Sequence, residues 1–218
     1  MKNVAVVLSG CGVFDGSEIH ESVLTLLALA RSGANVTCLA PDITQKHVID
    51  HSKGTVMEDE DRNVLQEAAR ISRGDILPLD HIEAHQFDAF IYVGGYGVAK
   101  NLSSFAFDGD AYDADPSIVN LIQSAHEASL PQGFICISPV LAARALGQFG
   151  VQLTIGNDEA TAKALKAKGA QHVECAVGGI VIDPDNKVVS TPAYMLATNI
   201  LEAESGINQL VRSVLQFA

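Results

Sequence analysis

Two uninterrupted apolar runs, residues 4–8 and 89–93, restrict the fold of this chain more than any other feature. A strand with one solvated face alternates apolar and polar residues; a run without alternation fits a parallel strand buried on both faces. Each run is followed closely by glycine, in Ser9-Gly10 and Gly94-Gly95. After the first, Asp15-x-x-Glu18 has the spacing of a capping box and predicts a helix to about Ser32, with Gly33 as its stop. Residues 35–40 read as a second strand closed by Pro41-Asp42. This β-α-β opening predicts an α/β protein with a parallel sheet.

The alternation continues. Residues 45–56 are a polar excursion with room for a short hairpin, and 61–73 have helical spacing, with Val64, Leu65, Ala68, Ala69 and Ile71 apolar. Asp115-Pro116 pairs an N-cap with proline at the first helical position and opens a helix to Ser129. A strand near 151–155 and a helix over 158–168 follow. Residues 180–182 and 187–190 flank Asp183-Pro184-Asp185-Asn186, a hairpin turn, and a long C-terminal helix begins near Tyr194. With no internal repeat and no linker, residues 1–218 read as a single domain, with 42–80 as an irregular insertion.

The formal net charge is −12 and hydrophobic residues make up 48% of the chain. An acidic surface disfavours nucleic acid and anionic membrane, both of which need clustered Lys and Arg. No apolar run approaches a membrane span, and the N-terminal run is too short for a signal peptide. The four cysteines, Cys11, Cys38, Cys136 and Cys175, form no C-x-x-C pair and read as free thiols of a cytoplasmic protein.

Chemistry concentrates at residues 133–139, Gly-Phe-Ile-Cys-Ile-Ser-Pro. An apolar run ends in Cys136, and Pro139 opens an Ala/Leu-rich helical pattern. A strand turning abruptly into a helix holds the intervening residue on a sharp bend, a nucleophile elbow with cysteine in place of serine. A helix N-terminus beside the sulfur favours thiolate, the nucleophilic form. A small buried core cysteine is the alternative. In open α/β sheets ligands bind beyond the carboxyl ends of the strands, which is where Cys11, Gly94 and Gly95 also fall. The Gly95 N–H, paired with that of Ile137, could form an oxyanion hole. Glu21 is the candidate proton carrier. It lies at the border of a polar helical stripe (Glu18, Ser22, Thr25, Ser32), where it could lean over the strand ends; a solvated glutamate is the plainer reading.

Other motifs carry less. Gly10-x-Gly12-x-x-x-Gly16 departs from dinucleotide-binding spacing and sets carboxylates where a pyrophosphate would sit. Tyr96-x-x-x-Lys100 reads as a turn. His47/His51 and His81/His85 lack a third ligand at a recognisable spacing. Asp108-Gly-Asp-Ala-Tyr-Asp113 lacks the closing glutamate of a calcium loop.

The stretch 8–21 (LSGCGVFDGSEIHE) resembles the opening of the ElbB proteins, part of the PfpI-like superfamily related to class I glutamine amidotransferases. Residues 62–65, 68–71, 94–102, the elbow, 153–156 and 191–197 extend the resemblance in order along almost the whole chain. It implies a flavodoxin-like three-layer α/β sandwich with a mostly parallel central sheet. It also implies Cys136 as nucleophile and Glu21 as its neighbouring acid; Cys11, Gly94 and Asn101 are candidates to line the site. The implied activity is a lyase-type, cofactor-independent glyoxalase converting glyoxal to glycolate without metal. The expected partner is a small dicarbonyl, and a homodimer is compatible with the sequence. Many superfamily members place histidine directly after the cysteine or about twenty residues beyond. Here those places hold Ile137 and Gly156-Asn157, and nothing aims His20 or His126 at Cys136, so imidazole-assisted hydrolysis loses its support. A rival reading makes the chain a redox-responsive or binding protein with an exposed, low-pKa cysteine.

Overall fold

A computed structural model describes all residues, Met1–Ala218. In chain order the elements are β1 (Asn3–Val7), α1 (Ile19–Arg31), β2 (Asn35–Ala40), β3 (Ile49–Asp50), β4 (Thr55–Val56), α2 (Val64–Ser72), β5 (Ile76–Pro78) and β6 (Ala89–Tyr92). Then come α3 (Tyr96–Lys100), α4 (Phe105–Asp108), α5 (Pro116–Glu127), β7 (Gln132–Ile135), α6 (Pro139–Leu146) and β8 (Gln152–Leu153). The chain closes with α7 (Glu159–Ala167), β9 (Gln171–His172), β10 (Val181–Asp183), β11 (Val188–Thr191) and α8 (Ile200–Phe217).

The central sheet has seven strands in the order β10-β11-β7-β6-β1-β2-β5, parallel except where β10 returns antiparallel to β11. The two apolar runs lie at its middle, with Val4 opposite Ala89 and Val7 opposite Tyr92. Both are buried on both faces, the setting that a run without alternation requires. Helices α1, α2 and α8 cover one face over Val6, Leu29, Val64 and Ile207. Helices α5, α6 and α7 cover the other over Phe90, Phe134, Ile118 and Leu141. This is a three-layer α/β sandwich held mainly by removal of apolar side chains from water.

Several expectations need correction. Helix α1 begins at Ile19, and its cap is Glu18, whose Oε2 accepts the Glu21 N–H at 2.7 Å. Asp15 instead turns away to accept the N–H of Ile49 at 2.7 Å, tying the glycine loop to the β3–β4 hairpin. The polar stripe of α1 faces inward: Ser22 and Thr25 are buried, their hydroxyls donating to the carbonyls of Glu18 and Glu21. That local bonding lets hydroxyls enter a core without stranded donors. The C-terminal helix starts at Ile200, since Asn199 accepts from the N–H groups of Leu201 and Glu202. Within 42–80, β5 pairs with β2 and forms the sheet's edge, so that stretch is partly core architecture. Residues 96–100, read as a turn, form a short helix. Of residues 151–155 only β8 is strand, in a separate two-stranded sheet with β9.

Candidate active site

The elbow follows from three local constraints. Cys136 N–H donates to the Thr191 carbonyl at 2.9 Å, keeping the residue in line with β11. Ser138 Oγ accepts the Ile135 N–H at 2.7 Å and donates to the Tyr92 carbonyl at 2.9 Å, stitching the bend to β6. Pro139 then fixes the first turn of α6. Between these ties Cys136 has φ = 63°, in the left-handed region that non-glycine residues rarely enter. Such strain is what a nucleophile elbow imposes.

Gly94 and Gly95 let three segments converge. A Cβ on Gly94 would lie 2.5 Å from Glu21 Oε2 and 3.0 Å from Cys136 Sγ, so only a bare backbone fits there. Gly95 has φ = 102° and lies against the backbone of Gly16–Glu18. The Glu18 N–H donates to the Gly94 carbonyl at 3.0 Å, and the Gly97 N–H to that of Gly16 at 2.8 Å. The loops after β1 and β6 are thereby zipped together under the start of α1.

This zipper carries the Glu21 side chain, fully buried, to Cys136. Glu21 Oε1 accepts the Tyr194 N–H at 3.2 Å. Oε2 makes no hydrogen bond of regular geometry and lies against the sulfur. Burial raises the Glu21 pKa from 4.5 to about 8, reinforced by the Glu18 carboxylate and opposed by the Tyr194 N–H, the Cys136 thiol and the Gly94 backbone. The Cys136 thiol is also pushed up, first by burial and then by Glu21. The backbone N–H groups of Gly95 and Ile137 face the sulfur and pull the other way.

These facts correct one expectation. A helix N-terminus does not leave Cys136 an exposed, low-pKa thiolate, because the residue is only 7% exposed and desolvation outweighs the N–H donors. Burial, and after it the neighbouring Glu21, keeps the proton on the sulfur.

In front of the sulfur lies a cavity of about 370 Å³, with Cys136, Gly95, Ile137, Glu18, Asp158 and Tyr194 on its walls. Asn101 is not among them. Its Nδ2 donates to the carbonyls of Ser9 and Asp15, at 3.0 and 2.9 Å, and its Oδ1 accepts the Lys46 N–H, so it ties loops together. Cys11 sits in the field of Glu67 and Arg70 on α2 and is also absent from the cavity wall. His126 bonds Asn186 at 3.0 Å and stacks on Phe149, away from the cavity. His20 Nδ1 meets the Tyr194 hydroxyl at 2.8 Å. Sequence reasoning missed Tyr194 and Asp158. The only signal was indirect: Tyr194 follows β11, the strand beside the elbow strand, at the sheet end where ligands collect.

Fold and elbow together define a class, a three-layer α/β sandwich with a cysteine at the strand-to-helix bend, and solved structures described as ThiJ/PfpI and DJ-1 proteins share its fold. The chain superposes on Drosophila melanogaster DJ-1beta with a TM-score of 0.55 at 17% identity, covering 100% of this chain and 95% of that one, a likeness of fold. It is 46% identical over 222 residues to the human "Glutamine amidotransferase-like class 1 domain-containing protein 3, mitochondrial", covering 98% of this chain and 82% of the human one. An Ehrlichia chaffeensis protein described as an isoprenoid biosynthesis protein with amidotransferase-like domain superposes with a TM-score of 0.92 at 37% identity, covering 100% of this chain and 99% of that one. The chain therefore belongs to the glutamine amidotransferase-like class 1 family that includes the ES1 proteins. No model of a known family matches it. The cytoplasmic location expected from the sequence is overturned: the human, rat and zebrafish relatives are all named as mitochondrial proteins.

Proposed function

We propose that this protein is an ElbB-like, cofactor-independent glyoxalase that converts glyoxal and water to glycolate. The observation that carries the reading is the buried Cys136–Glu21 pair, with the N–H groups of Gly95 and Ile137 converging on the sulfur at the foot of a cavity. The Glu21 carboxylate takes the thiol proton as sulfur attacks one aldehyde carbon. A C–S bond forms, and the carbonyl π pair moves onto oxygen, where the two N–H groups offer donors. Proton transfer from the hemithioacetal carbon to its neighbour, through an enediol, oxidises the first carbon and reduces the second. The resulting thioester is cleaved by water, which releases glycolate and restores the thiol. No other oxidant or reductant is needed for the balance.

The rival redox-sensor reading asks for an accessible thiolate, and a thiol that burial pushes upward supports it poorly. The test is a dicarbonyl panel assayed for 2-hydroxy acid production with the parent protein and Cys136→Ser. Glyoxal turnover that survives the substitution sinks the proposal, as does the absence of turnover in the folded parent.

A further inference from the structure

The wall of the cavity in front of Cys136 carries two carboxylates and no basic side chain. Glu18 and Asp158 both stand on it, and none of the lining residues is lysine or arginine. Each carboxylate caps a helix with one oxygen: Glu18 Oε2 accepts the Glu21 N–H at 2.7 Å, and Asp158 Oδ1 the Thr161 N–H at 2.7 Å. Those caps fix both side chains, and neither makes an ion pair. The Thr161 hydroxyl and N–H hold Asp158 below the ordinary carboxylate range, so it is ionised at neutral pH.

Lys100 stands behind the wall: its Nζ donates to the Phe14 carbonyl at 2.8 Å and lies 5.4 Å from the centre of the ring of Tyr96, a lining residue. Lys163 pairs with Asp110 at 3.3 Å. Cys136 itself opens onto this cavity, while Glu21, outside the wall, reaches it only through the sulfur. A nucleophile and two fixed carboxylates thus meet around one cavity.

We propose that this cavity selects small carbonyl compounds bearing a cationic group, an ammonium or a guanidinium, which Glu18 and Asp158 hold while the carbonyl carbon meets Cys136. Neutral carbonyls, glyoxal among them, react at the same sulfur without help from the two carboxylates and so bind more weakly, and those bearing a carboxylate are rejected. This inference names the substrate class of the reading given above and rests on Cys136 as the reacting group. Partly solvated charges at the mouth of a cleft raise the local concentration of one sign of ligand and lower that of the other.

The test measures modification of Cys136 by three methanethiosulfonates that differ in charge: ethylammonium, methyl and ethylsulfonate. Rates are read by peptide mass spectrometry and divided by those for free cysteine. Cys175, half-buried and outside the cavity, reports in the same samples the effect of the protein's overall charge. The ethylammonium reagent should modify Cys136 at least about tenfold faster than the sulfonate, with the neutral reagent between them. Asp158→Asn keeps a cap acceptor and should cut that ratio by about threefold, as should Glu18→Gln; the ratio at Cys175 should not move. A ratio at Cys136 no larger than at Cys175 overturns the proposal, as does a ratio that stays unchanged in Asp158→Asn. These reagents need no turnover. Charge selection without glyoxal turnover therefore sinks only the glyoxalase reading, and turnover with a flat ratio sinks only this one.

Discussion

Glu21 and Cys136 meet across Gly94, close enough that the acid and the thiol compete for the same protons. Burial disfavours charge on both, and a charge on either disfavours it on the other. The pair therefore loses its protons in two steps, the first near 8 and the second well above. In the singly deprotonated pair the carboxylate can take the thiol proton at the moment of attack.

This relation sets the pH dependence of turnover. The kcat/KM for glyoxal should rise with a one-proton slope, reach half its plateau at about 8, where Glu21 is half ionised, and level off above that. Glu21→Gln should lower turnover by about 10²-fold or more and abolish the inflection near 8. The same substitution removes the neighbouring charge that raises the thiol, so Cys136 alkylation should shift to lower pH. A Gln variant with parent-like turnover and an unmoved alkylation profile would remove Glu21 from the chemistry.

How much of this was legible in the sequence depended on whether the signal was local. The runs 4–8 and 89–93 announced buried parallel strands because their lack of alternation is a property of the segment itself. The elbow was readable because apolar run, cysteine and proline are adjacent. Helix α1 misled: its stripe of Glu18, Ser22 and Thr25 looked solvated, yet their hydroxyl and capping bonds are made within the helix, so the stripe could be buried. Tyr194 and Asp158 were out of reach, since each comes to the cavity from a connection remote in sequence from Cys136. The sulfur's environment was out of reach for the same reason. A helix N-terminus is a local feature, whereas the burial that outweighs it is tertiary.

Gly94→Ala should separate packing from chemistry. Its methyl group would collide with Cys136 Cβ and come within 2.5 Å of Glu21 Oε2. Overpacking of this kind costs about 1–3 kcal/mol of stability, read as a lower midpoint in urea. Glyoxal turnover should fall further than stability does, because any relief moves the thiol and carboxyl apart. A variant with parent-like stability and parent-like turnover would mean that the contact behind Gly94 is looser than described.

The histidines provide a negative control. His126 is engaged with Asn186 and Phe149, and His20 reaches only the Tyr194 hydroxyl at the cavity wall. His126→Gln and His20→Gln should each leave kcat/KM for glyoxal within about threefold, too small a change for a general acid or base. A collapse in His20→Gln with Cys136 alkylation unchanged would make the His20–Tyr194 pair part of proton transfer.

Glu21 should also leave a signature on folding. In the folded chain it keeps its proton up to about 8, whereas an ordinary glutamate ionises near 4.5. Between those values the folded state binds more protons than the unfolded one, so stability falls as pH rises. The contribution of neutral Glu21 is complete below about 4.5 and is lost as the pH passes through about 8. Asp113 and Asp158 are shifted the other way by their hydrogen bonds and act at the acid end, in the parent and the variant alike. The informative quantity is therefore the difference between the parent and Glu21→Gln, whose amide does not titrate. Urea midpoints taken from about pH 5 to pH 9 should show the Gln variant gaining on the parent up to about 8, where the gain from Glu21 levels off. A difference that stays constant across this range would mean that Glu21 ionises at its ordinary pH despite its burial, and the proton-sharing with Cys136 would fall with it.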